Sequence, residues 1–502
     1  MTLTRFLAEA GRRHQDRIAF QMGERQLSFK ELDRLSNGLA ESLVKMGIKP
    51  GEHVALLLEN SPDFVISYFG VVKAGAIAMP LDTKYKLLEL TAVFDDCRPV
   101  ALIAETAALK ALSAVPSLIG SFKYKICLGN IDIPGCVIYD SQVKSAETAP
   151  LISEYPELAH IAYTSGPTLR PHGAEIKQRN LIEAAAGSAA GFGQTDQDTV
   201  ALFALPLHHT IGIAVIMMTS LFAGSRVVIV NGISMDALLC SIEKERVTMF
   251  HGVPFIHAMM VNHLKANGLK YDISSLRFCG SAGAPIPVSV ITGFEELTGK
   301  YLNQYYGLTE STSHVTCQEL NKSGDSGGVG TSIPGFEVRV VNEEGRTVAA
   351  GEPGEVVIRG PIMRAYHNRV EDTERFIRDG WLYTDDIGIV DENGELFITG
   401  VKKPMLITKG QNIYFSDIAD ILITHPLIAD AAAGGIPDPD GMRGEVVLAV
   451  VTLIDGANLT EQEVKKFCLE RLANYKCPKK VLFVSDIPRS PNGQLATFSL
   501  LE

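Results

Sequence analysis

The order of apolar and polar residues divides the first 320 residues into helix-length and strand-length segments. Apolar residues follow helical spacing over 29–46 and 62–74, and short apolar runs of strand length follow these segments at 51–58 and 76–80. Similar strand-length runs recur at 200–204, 226–230, 248–251 and 276–279. Helices that alternate with strands are typical of an α/β fold with parallel strands.

The pattern changes near residue 325. Strand-like segments at 337–341, 354–359, 387–391 and 396–399 are separated by Gly, Asn and Asp turns, which predicts a smaller β-rich unit. From residue 401 strand-length and helix-length segments alternate again, as in an α/β pattern, with a strand at 405–407, a helix at 415–423, a strand at 446–453 and a helix at 461–472. The chain is therefore expected to contain several unequal folding units.

Composition narrows the class of protein. The chain has 502 residues, of which 46% are apolar and 21% are charged, as in ordinary globular proteins and unlike disordered or fibrous chains. A formal net charge of −12 argues against a broad nucleic-acid-binding surface, although it leaves room for a local basic channel. The eight cysteines are scattered, with no CxxC and no pair at zinc-ligand spacing, which indicates a reducing compartment.

The chain shows no sign of membrane insertion or secretion. Its first residues lack the apolar stretch of a signal peptide, and its most apolar run, residues 211–221, is well short of the ~20 residues that span a bilayer. We therefore expect a cytoplasmic protein without a transmembrane segment.

One loop offers candidate chemistry. Residues 161–173 read Ile-Ala-Tyr-Thr-Ser-Gly-Pro-Thr-Leu-Arg-Pro-His-Gly, in which a strand runs into a turn that contains glycine and hydroxyl groups. Hydroxyls and backbone N–H groups on such a turn can bind phosphate oxygens. The segment has neither GxxxxGK[ST] nor GxGxxG, so a plain surface loop between two strands is an equal alternative on these residues alone.

This loop resembles the Tyr-Thr-Ser-Gly-Thr-Thr-Gly-x-Pro-Lys-Gly signature of the adenylate-forming, or AMP-binding, superfamily of acyl-CoA synthetases, luciferases and peptide-synthetase adenylation domains. Six further segments resemble that superfamily in the same order, at 205–209 (Leu-Pro-Leu-His-His), 280–285 (Gly-Ser-Ala-Gly-Ala-Pro), 303–310 (Asn-Gln-Tyr-Tyr-Gly-Leu-Thr-Glu), 351–355 with 359–361, 380–388, and 410–413. One such match is weak, but seven in order cover nearly the whole chain. The sequence is most similar to acyl-CoA synthetases, the fatty acid–CoA ligases among them.

The resemblance implies an architecture and a reaction. The fold would be α/β, with a large N-terminal domain (1–400) of two α/β subdomains and a β-barrel-like subdomain, and a small mobile α+β C-terminal domain (401–502) hinged at Lys403. In the superfamily a carboxylate attacks the α-phosphate of ATP and pyrophosphate leaves. A thiol, often that of coenzyme A, then displaces AMP. The implied cofactors are ATP/AMP, Mg²⁺ and coenzyme A.

Residues at the superfamily's nucleotide-binding positions are spread along the chain. Tyr306 would lie against the adenine, opposite a wall of small residues, and Asp386 would accept hydrogen bonds from both ribose hydroxyls. An ordinary turn aspartate is the alternative for Asp386. The implied set is Thr164, Ser165, Gly166, Thr168, Gly283, Ala284, Pro285, Tyr305, Tyr306, Gly307, Asp386, Lys403 and Gly410.

Four residues stand at positions that act in the reaction. Glu310 matches the carboxylate associated with Mg²⁺, since a hard cation takes oxygen ligands, and Thr309 would donate its hydroxyl to the α-phosphate. His209 would border the acyl and thiol tunnels, and Gln494 stands at the place of the catalytic lysine. A packed or solvated loop pair is the alternative for the two adjacent histidines at 208 and 209, which make a poor metal site.

The acyl pocket would be bordered by His209, Val253 and residues 280–283. Apolar side chains nearby favour an aliphatic or aromatic tail, although packing of a helix in the core explains the same spacing equally well. These side chains are Phe255, Ile256, Met259 and Met260.

The phosphate loop departs from the superfamily at three positions. Pro167 replaces a threonine and removes a backbone donor, and Leu169 replaces a glycine and disfavours positive φ. His172 replaces a lysine, and a histidine is mostly neutral at pH 7. We therefore expect this loop to hold pyrophosphate less firmly.

Three more departures lie in the last quarter of the chain. Val401 replaces an arginine, Gln494 replaces the catalytic lysine, and Lys409 stands where the first of two glycines lines the pantetheine channel. A neutral amide can donate a hydrogen bond but cannot neutralise charge on the α-phosphate. Loss of a charged contact of this kind commonly costs around 10²–10³ in rate.

The expected function is that of an AMP-forming carboxylic acid–CoA ligase, with a carboxylic acid and coenzyme A as partners and no nucleic acid. Oligomeric state is open, a homodimer being one option. The departures leave one alternative, a catalytically impaired homologue that binds nucleotide or acyl-CoA or performs only the thioester half-reaction. Another is a non-enzymatic acyl-CoA sensor.

Overall fold

The computed structural model describes residues 1–129, 133–164, 171–230, 232, 234–324, 326–402, 405–408, 411–438, 445–454 and 456–487. The helices in this part of the chain are α1 (Leu3–His14), α2 (Phe29–Met46), α3 (Pro62–Lys73), α4 (Leu87–Cys97), α5 (Thr106–Ser113), α6 (Pro116–Gly120), α7 (Tyr139–Gln142), α8 (Gln178–Gly191), α9 (Thr219–Ala223), α10 (Met235–Glu245), α11 (Pro254–Asn267), α12 (Val288–Thr298), α13 (Val370–Phe376), α14 (Phe415–Ile423) and α15 (Glu461–Leu469). A π-helix, Ile211–Met218, directly precedes α9.

The strands are β1 (Ile18–Met22), β2 (Arg25–Ser28), β3 (His53–Leu57), β4 (Ile77–Pro80), β5 (Ala101–Glu105), β6 (Tyr124–Leu128), β7 (Cys136–Ile138), β8 (Leu158–Thr164), β9 (His172–Lys177), β10 (Thr199–Phe203), β11 (Arg226–Val230), β12 (Met249–Gly252), β13 (Phe278–Ser281), β14 (Leu302–Gly307), β15 (His314–Cys317), β16 (Thr331–Ser332), β17 (Glu337–Val341), β18 (Gly354–Arg359), β19 (Ile377–Arg378), β20 (Trp381–Val390), β21 (Leu396–Val401), β22 (Met405–Thr408), β23 (Gln411–Tyr414), β24 (Ile428–Pro437), β25 (Glu445–Leu453) and β26 (Lys480–Phe483).

The chain divides into two compact units. The first unit contains residues 1–83, 97–162 and 173–399, and the second contains residues 84–96, 163–172 and 400–502. The sequence did not predict that the second unit includes the two short segments from the N-terminal part. The division into domains 1–400 and 401–502 stays a prediction.

A seven-stranded sheet forms one subdomain of the first unit, in the order β7-β6-β5-β3-β4-β8-β9. β3 lies between β4 and β5, and both pairs are parallel. The helix that precedes β3 matches its prediction, because Ser28 and Glu31 form a capping box at the start of α2 and Gly47 ends it at φ 96°. The predicted α/β alternation over residues 29–80 is therefore confirmed.

A nine-stranded sheet forms the second subdomain, in the order β16-β15-β14-β13-β12-β10-β11-β1-β2. The pairs from β1 through β11, β10, β12 and β13 to β14 are parallel. The four strand-length runs predicted between residues 200 and 279 are the central strands of this sheet. Parallel strands present their carboxyl ends along one edge, where ligands bind in open α/β sheets.

A five-stranded sheet completes the first unit where the sequence predicts the barrel-like piece. Its order is β17-β18-β20-β19, with β21 beside β20, and the neighbouring strands from β17 to β19 are antiparallel. The strand expected at 387–391 is longer and begins at Trp381, so Asp386 lies within a strand and not in a turn.

The second unit has a core of its own. Strands β24 and β25 are antiparallel, and β26 is parallel to β25. This sheet and helices α14 and α15 bury a cluster that includes Ile418, Leu422, Val464 and Cys468, and Leu88 of α4 packs against that cluster. Helix α15 ends at Leu469, three residues before the predicted end. The mixed sheet agrees with the predicted α+β class of the C-terminal part.

Two sequence expectations concern covalent links and membranes. All eight cysteines lie in the described part of the chain, and none forms a disulfide. Within those same residues the structure contains no helix of the length and apolarity needed to cross a bilayer.

Candidate active site

The carboxyl edge of the nine-stranded sheet gathers most of the predicted site residues. Strands β10, β12, β13 and β14 end at Phe203, Gly252, Ser281 and Gly307, and the loops that follow leave this edge of the sheet. The predicted residues on these strand ends and loops are His209, Val253, Gly283, Ala284, Pro285, Tyr305, Tyr306, Gly307, Thr309 and Glu310.

A hydrogen bond joins this edge to the five-stranded sheet. The Tyr306 hydroxyl, at the end of β14, donates to Asp386 Oδ2 over 2.5 Å. Asp386 is 6% exposed, and its backbone N–H donates to Thr384 Oγ1 over 3.1 Å. Two residues that the sequence assigns to the adenine and to the ribose are therefore in direct contact.

The Asp386 carboxyl lies in an unfavourable place for a negative charge. Its pKa is raised to about 6, mainly by burial. The hydrogen bond from Tyr306 opposes this rise, and the neighbouring carboxylates of Asp385, Glu310 and Glu355 add to it. Further hydroxyl donors, such as those of a ribose, would stabilise its ionised form, so this carboxylate is suited to accept hydrogen bonds from them.

Thr309 contacts the loop that carries His209. The Thr210 hydroxyl donates to Thr309 Oγ1 over 3.1 Å, and the Ile211 backbone N–H donates to His209 Nδ1 over 3.3 Å. The π-helix begins at Ile211, directly after these residues. Irregular helical turns of this type occur frequently at functional sites. The apolar run 211–221 directly follows the loop that carries His209, and its π-helical part is buried in the core.

His209 is neutral at physiological pH. Its pKa is lowered to about 4, mainly by burial and to a smaller extent by His208, and Asp82 opposes both effects. Because Nδ1 accepts a backbone hydrogen bond, the ring proton of the neutral histidine is on Nε2. His209 therefore offers one hydrogen-bond donor and no positive charge.

Glu310 is held at both its backbone and its side chain. Its carbonyl oxygen accepts from the Met363 N–H over 2.7 Å, and its Oε1 accepts from the Tyr366 hydroxyl over 2.7 Å. Burial raises the pKa of Glu310, and the bond from Tyr366 opposes that rise. The sequence did not single out Tyr366, since no motif or spacing distinguishes it from other tyrosines.

Left-handed backbone conformations surround these side chains. Ala204, Thr312 and Asp385 have φ values of 55°, 65° and 60°. Ala204 directly follows β10, Thr312 lies two residues after Glu310, and Asp385 directly precedes Asp386. Non-glycine residues adopt this region rarely, and such residues cluster at active sites and ligand clamps.

Two glycines at the strand ends allow close packing. A Cβ on Gly307 would lie 2.4 Å from His314 Cα, and a Cβ on Gly280 would lie 2.6 Å from Phe278 Cε1. Tyr305 is buried with its hydroxyl 3.3 Å from His251 Nδ1. A side chain at position 307 would collide with the backbone of β15, and one at position 280 would collide with the Phe278 ring.

The structure describes only the ends of the predicted phosphate loop. The Thr164 hydroxyl donates to the His172 carbonyl oxygen over 3.2 Å. The other loop residues lie outside the described part of the chain, and so do the predicted hinge, channel and lysine-position residues. These are Ser165, Gly166, Pro167, Thr168, Leu169, Lys403, Lys409, Gly410 and Gln494. Val401 is described, ends β21 and is 40% exposed.

Comparisons with known proteins agree with this arrangement. Residues 7–367 match the family described as AMP-binding enzyme, and residues 417–494 match the AMP-binding enzyme C-terminal domain. The chain is 29% identical to a long-chain-fatty-acid–CoA ligase of Bacillus subtilis (strain 168), over 100% of the chain and 94% of the relative. It is 32% identical to probable CoA ligase CCL5 of Humulus lupulus, over 98% and 91%.

A solved structure is similar over the same extent. The amide bond synthetase McbA from Marinactinospora thermotolerans superimposes with a TM-score of 0.88 at 26% identity, over 100% of this chain and 99% of that one. The likeness therefore covers both units of the chain.

Proposed function

The chain belongs to the family of AMP-binding enzymes, and we propose that it is an AMP-forming carboxylic acid–CoA ligase for an aliphatic or aromatic acid. The observation that carries the proposal is the contact of Tyr306 with Asp386. It joins the predicted adenine and ribose positions beside Thr309 and Glu310. The two CoA ligases named above support the choice of acceptor.

In the first half-reaction the protein holds ATP and the acid for in-line attack. An oxygen of the acid's carboxylate attacks the α-phosphorus, and the bond from that phosphorus to the bridging β-oxygen breaks. Pyrophosphate leaves with the electron pair, and an acyl-adenylate remains. Asp386 positions the ribose, and Thr309 donates a hydrogen bond to an α-phosphate oxygen. Such positioning contributes more to the rate than any new covalent chemistry from the protein.

Glu310 fits a magnesium ion. Mg²⁺ is usually held by one or two carboxylates together with substrate phosphates and waters, and a buried carboxyl whose pKa is raised gains from a nearby cation. The Tyr366 hydroxyl fixes the orientation of this carboxylate through Oε1. Mg²⁺ bound there would neutralise charge on the phosphates of ATP.

In the second half-reaction the sulfur of coenzyme A attacks the acyl carbon. The new C–S bond forms, the bond from the acyl carbon to the phosphate oxygen breaks, and AMP leaves with that electron pair while the thiol proton passes to solvent. His209 is neutral, so its part is to donate a hydrogen bond from Nε2 at the border of the acyl and thiol tunnels. We propose that residues 280–283 and Val253 form the remaining border.

The direct test is ATP–pyrophosphate exchange with a panel of aliphatic and aromatic acids, followed by mass spectrometry of the thioester formed with coenzyme A. We expect exchange that depends on one class of acid and thioester that depends on coenzyme A. The proposal fails if exchange occurs but no thioester forms with coenzyme A.

A second candidate is an enzyme that has lost adenylation and keeps the thioester half-reaction. His172 and Gln494 stand where the superfamily has lysines, so the phosphate region is short of positive charge. A synthetic acyl-adenylate separates the two candidates. Consumption that requires coenzyme A, without pyrophosphate exchange, identifies the impaired enzyme. Heat stabilisation by acyl-CoA with neither activity identifies a sensor.

A further inference from the structure

Two histidines and a cysteine from distant parts of the chain meet in the first unit. His53 begins β3, Cys97 ends α4, and His367 lies shortly before α13. One nitrogen of each imidazole and the Cys97 sulfur all lie within 4.8 Å of one another. The two rings have centroids 5.3 Å apart and planes at 78°. Across the described residues, this is the one grouping of three such ligand atoms.

The His53 ring has a defined tautomer. Its Nδ1 lies 2.6 Å from the Cys97 carbonyl oxygen. A carbonyl oxygen only accepts hydrogen bonds, so Nδ1 carries the proton. In the neutral ring the lone pair is therefore on Nε2, the nitrogen on the far side from the carbonyl.

The His367 ring is oriented in the same way by a carboxylate. Its Nδ1 lies 2.8 Å from Glu175 Oε1, and Arg364 Nε donates to the other oxygen of Glu175 over 2.8 Å. The Glu175 residue is 4% exposed, so the pair is held within the protein. The hydrogen bond to Glu175 places a proton on Nδ1 of His367, which leaves Nε2 as the nitrogen that can bind a metal.

These hydrogen bonds follow the pattern seen around metal-bound histidines. A histidine that binds a metal almost always donates its other N–H to a carboxylate or a backbone carbonyl, which fixes the tautomer and the ring direction. Here Glu175 has that place for His367 and the Cys97 carbonyl has it for His53. Two imidazole nitrogens and a thiolate are ligands that zinc prefers.

We propose that His53, Cys97 and His367 bind a zinc-type transition-metal ion. Ligand atoms around tetrahedral zinc are about 3.4–3.6 Å apart, given metal–ligand lengths of about 2.0–2.3 Å. The atoms within 4.8 Å therefore need to approach by no more than about 1.4 Å, which rotations of the side chains supply. His53 and His367 are each partly exposed, so a water molecule can complete the coordination.

A metal at this place would tie three chain segments together. The His367 N–H donates to the Gly173 carbonyl over 2.7 Å, and the Glu175 N–H donates to the Ala365 carbonyl over 2.9 Å, so residues 364–367 pair with β9. The ion would join this pair to β3 and to the end of α4. Bound Zn²⁺ should therefore raise the Tm of the full chain, by an amount that grows with its free concentration.

The test uses the untagged full chain after treatment with a chelator. Titration with Zn²⁺ against a competing chromogenic chelator should show one bound ion per chain. Replacement by Co²⁺ should give a thiolate-to-cobalt charge-transfer band that is absent in Cys97→Ser. Glu175→Gln should lower the zinc affinity about 10–100-fold, as changes in supporting groups do, and Cys97→Ser, His53→Gln and His367→Gln should lower it more.

Two matched control variants remove a thiol or an imidazole at positions away from the site. Cys136→Ser on β7 and His263→Gln on α11 should leave zinc affinity and Tm gain as in the original protein. Melting in metal-free buffer checks that each variant is folded. The proposal is overturned if the chain binds no zinc, or if zinc binding is the same in Cys97→Ser, His53→Gln and His367→Gln as in the original chain. Neither result depends on ligase activity.

Discussion

Tyr306 and Asp386 are hydrogen-bonded over 2.5 Å although they belong to different sheets. Tyr306 lies at the end of β14 in the nine-stranded sheet, and Asp386 lies inside β20 of the five-stranded sheet. The contact buries a carboxyl group whose pKa rises to about 6. The neutral form of Asp386 therefore favours protein stability, whereas nucleotide binding favours the ionised carboxylate.

Asp386→Asn should make the protein more stable near neutral pH. The folded-state pKa of about 6 exceeds the usual aspartate value of about 4, so the buried carboxyl costs stability progressively as the pH rises from about 4 to about 6. The cost is complete above about pH 6 and absent below about pH 4. The gain should be about 3 kcal/mol at pH 7, since folding raises this pKa by roughly two units and each unit corresponds to roughly 1.4 kcal/mol. Urea unfolding followed by Trp381 fluorescence measures it, because Trp381 begins the same strand.

The control for this change is Asp391→Asn. Asp391 accepts backbone hydrogen bonds from Asn393 and Glu395, and the bond from Glu395 is the main reason that its pKa is lowered. Its replacement should reduce stability at pH 7, in the direction opposite to Asp386→Asn. A loss of stability in folded Asp386→Asn at pH 7 would contradict the dominant role of burial.

Binding of adenosine should weaken as the pH falls through 6. A protonated Asp386 accepts hydrogen bonds poorly, so affinity should drop by up to about tenfold per pH unit below its pKa of about 6. Adenosine is the ligand of choice because it has the ribose hydroxyls without a phosphate that titrates near the same pH. Calorimetry at about pH 8 and about pH 5 gives the two affinities. The affinity for 2′,3′-dideoxyadenosine should not fall in this way at low pH. A fall in adenosine affinity that persists in Asp386→Asn would come from another titrating group.

Glu310→Gln should lower the rate of ATP–pyrophosphate exchange about 10²–10³-fold while the fold persists, since removal of a single charge-stabilising contact has this effect. Glutamine can still accept the hydrogen bond from Tyr366, so the melting temperature should change little.

Tyr366→Phe keeps the Glu310 carboxylate but removes the hydrogen bond that opposes the rise in its pKa. That variant should move the acid limb of the pH–rate profile to higher pH. Equal exchange in Glu310→Gln and the original protein would remove Glu310 from the reaction.

Regular periodicity made much of the fold predictable. The 18 residues of α2 were bounded correctly from the helical spacing of their apolar residues, and the structure shows a capping box at one end and a left-handed glycine at the other. The π-helix at 211–218 was not predicted, because its uniformly apolar side chains give no period that separates it from a strand or an α-helix. Strand β20 was predicted too short, since its first half contains the polar residues of the site.

The site was predictable only where residues are grouped in a motif. Tyr306, Thr309 and Glu310 stand in one short segment, so a resemblance could identify them together. Tyr366 reaches Glu310 from a distant segment, and this contact exists only after the sheets have packed. His53, Cys97 and His367 were missed for the same reason, because zinc-ligand spacing in sequence detects ligands on one local turn and not ligands from three segments.

Lys476→Met should destabilise the second unit by about 3–5 kcal/mol. Lys476 Nζ lies 2.7 Å from Glu89 Oε1, and both side chains are 4% exposed, so removal of one partner leaves a buried, unpaired charge. Urea unfolding followed by far-UV circular dichroism measures the change. Adding Glu89→Gln should recover most of the loss, and Lys466→Met on the exposed face of α15 should have almost no effect. A double variant as unstable as the single one would show that packing, and not charge, holds this contact.

Gln494→Lys should raise the rate of ATP–pyrophosphate exchange if a missing cation limits adenylation. A lysine can neutralise charge that develops on the α-phosphate, and a contact of this kind is commonly worth around 10²–10³ in rate. Gln494→Met, which has similar length and no charge, is the control and should not raise the rate. Combining Gln494→Lys with His172→Lys separates the two positions, because a gain seen only in the double variant assigns the limit to the phosphate loop. No gain in either variant would mean that the lost charges are not what limits adenylation.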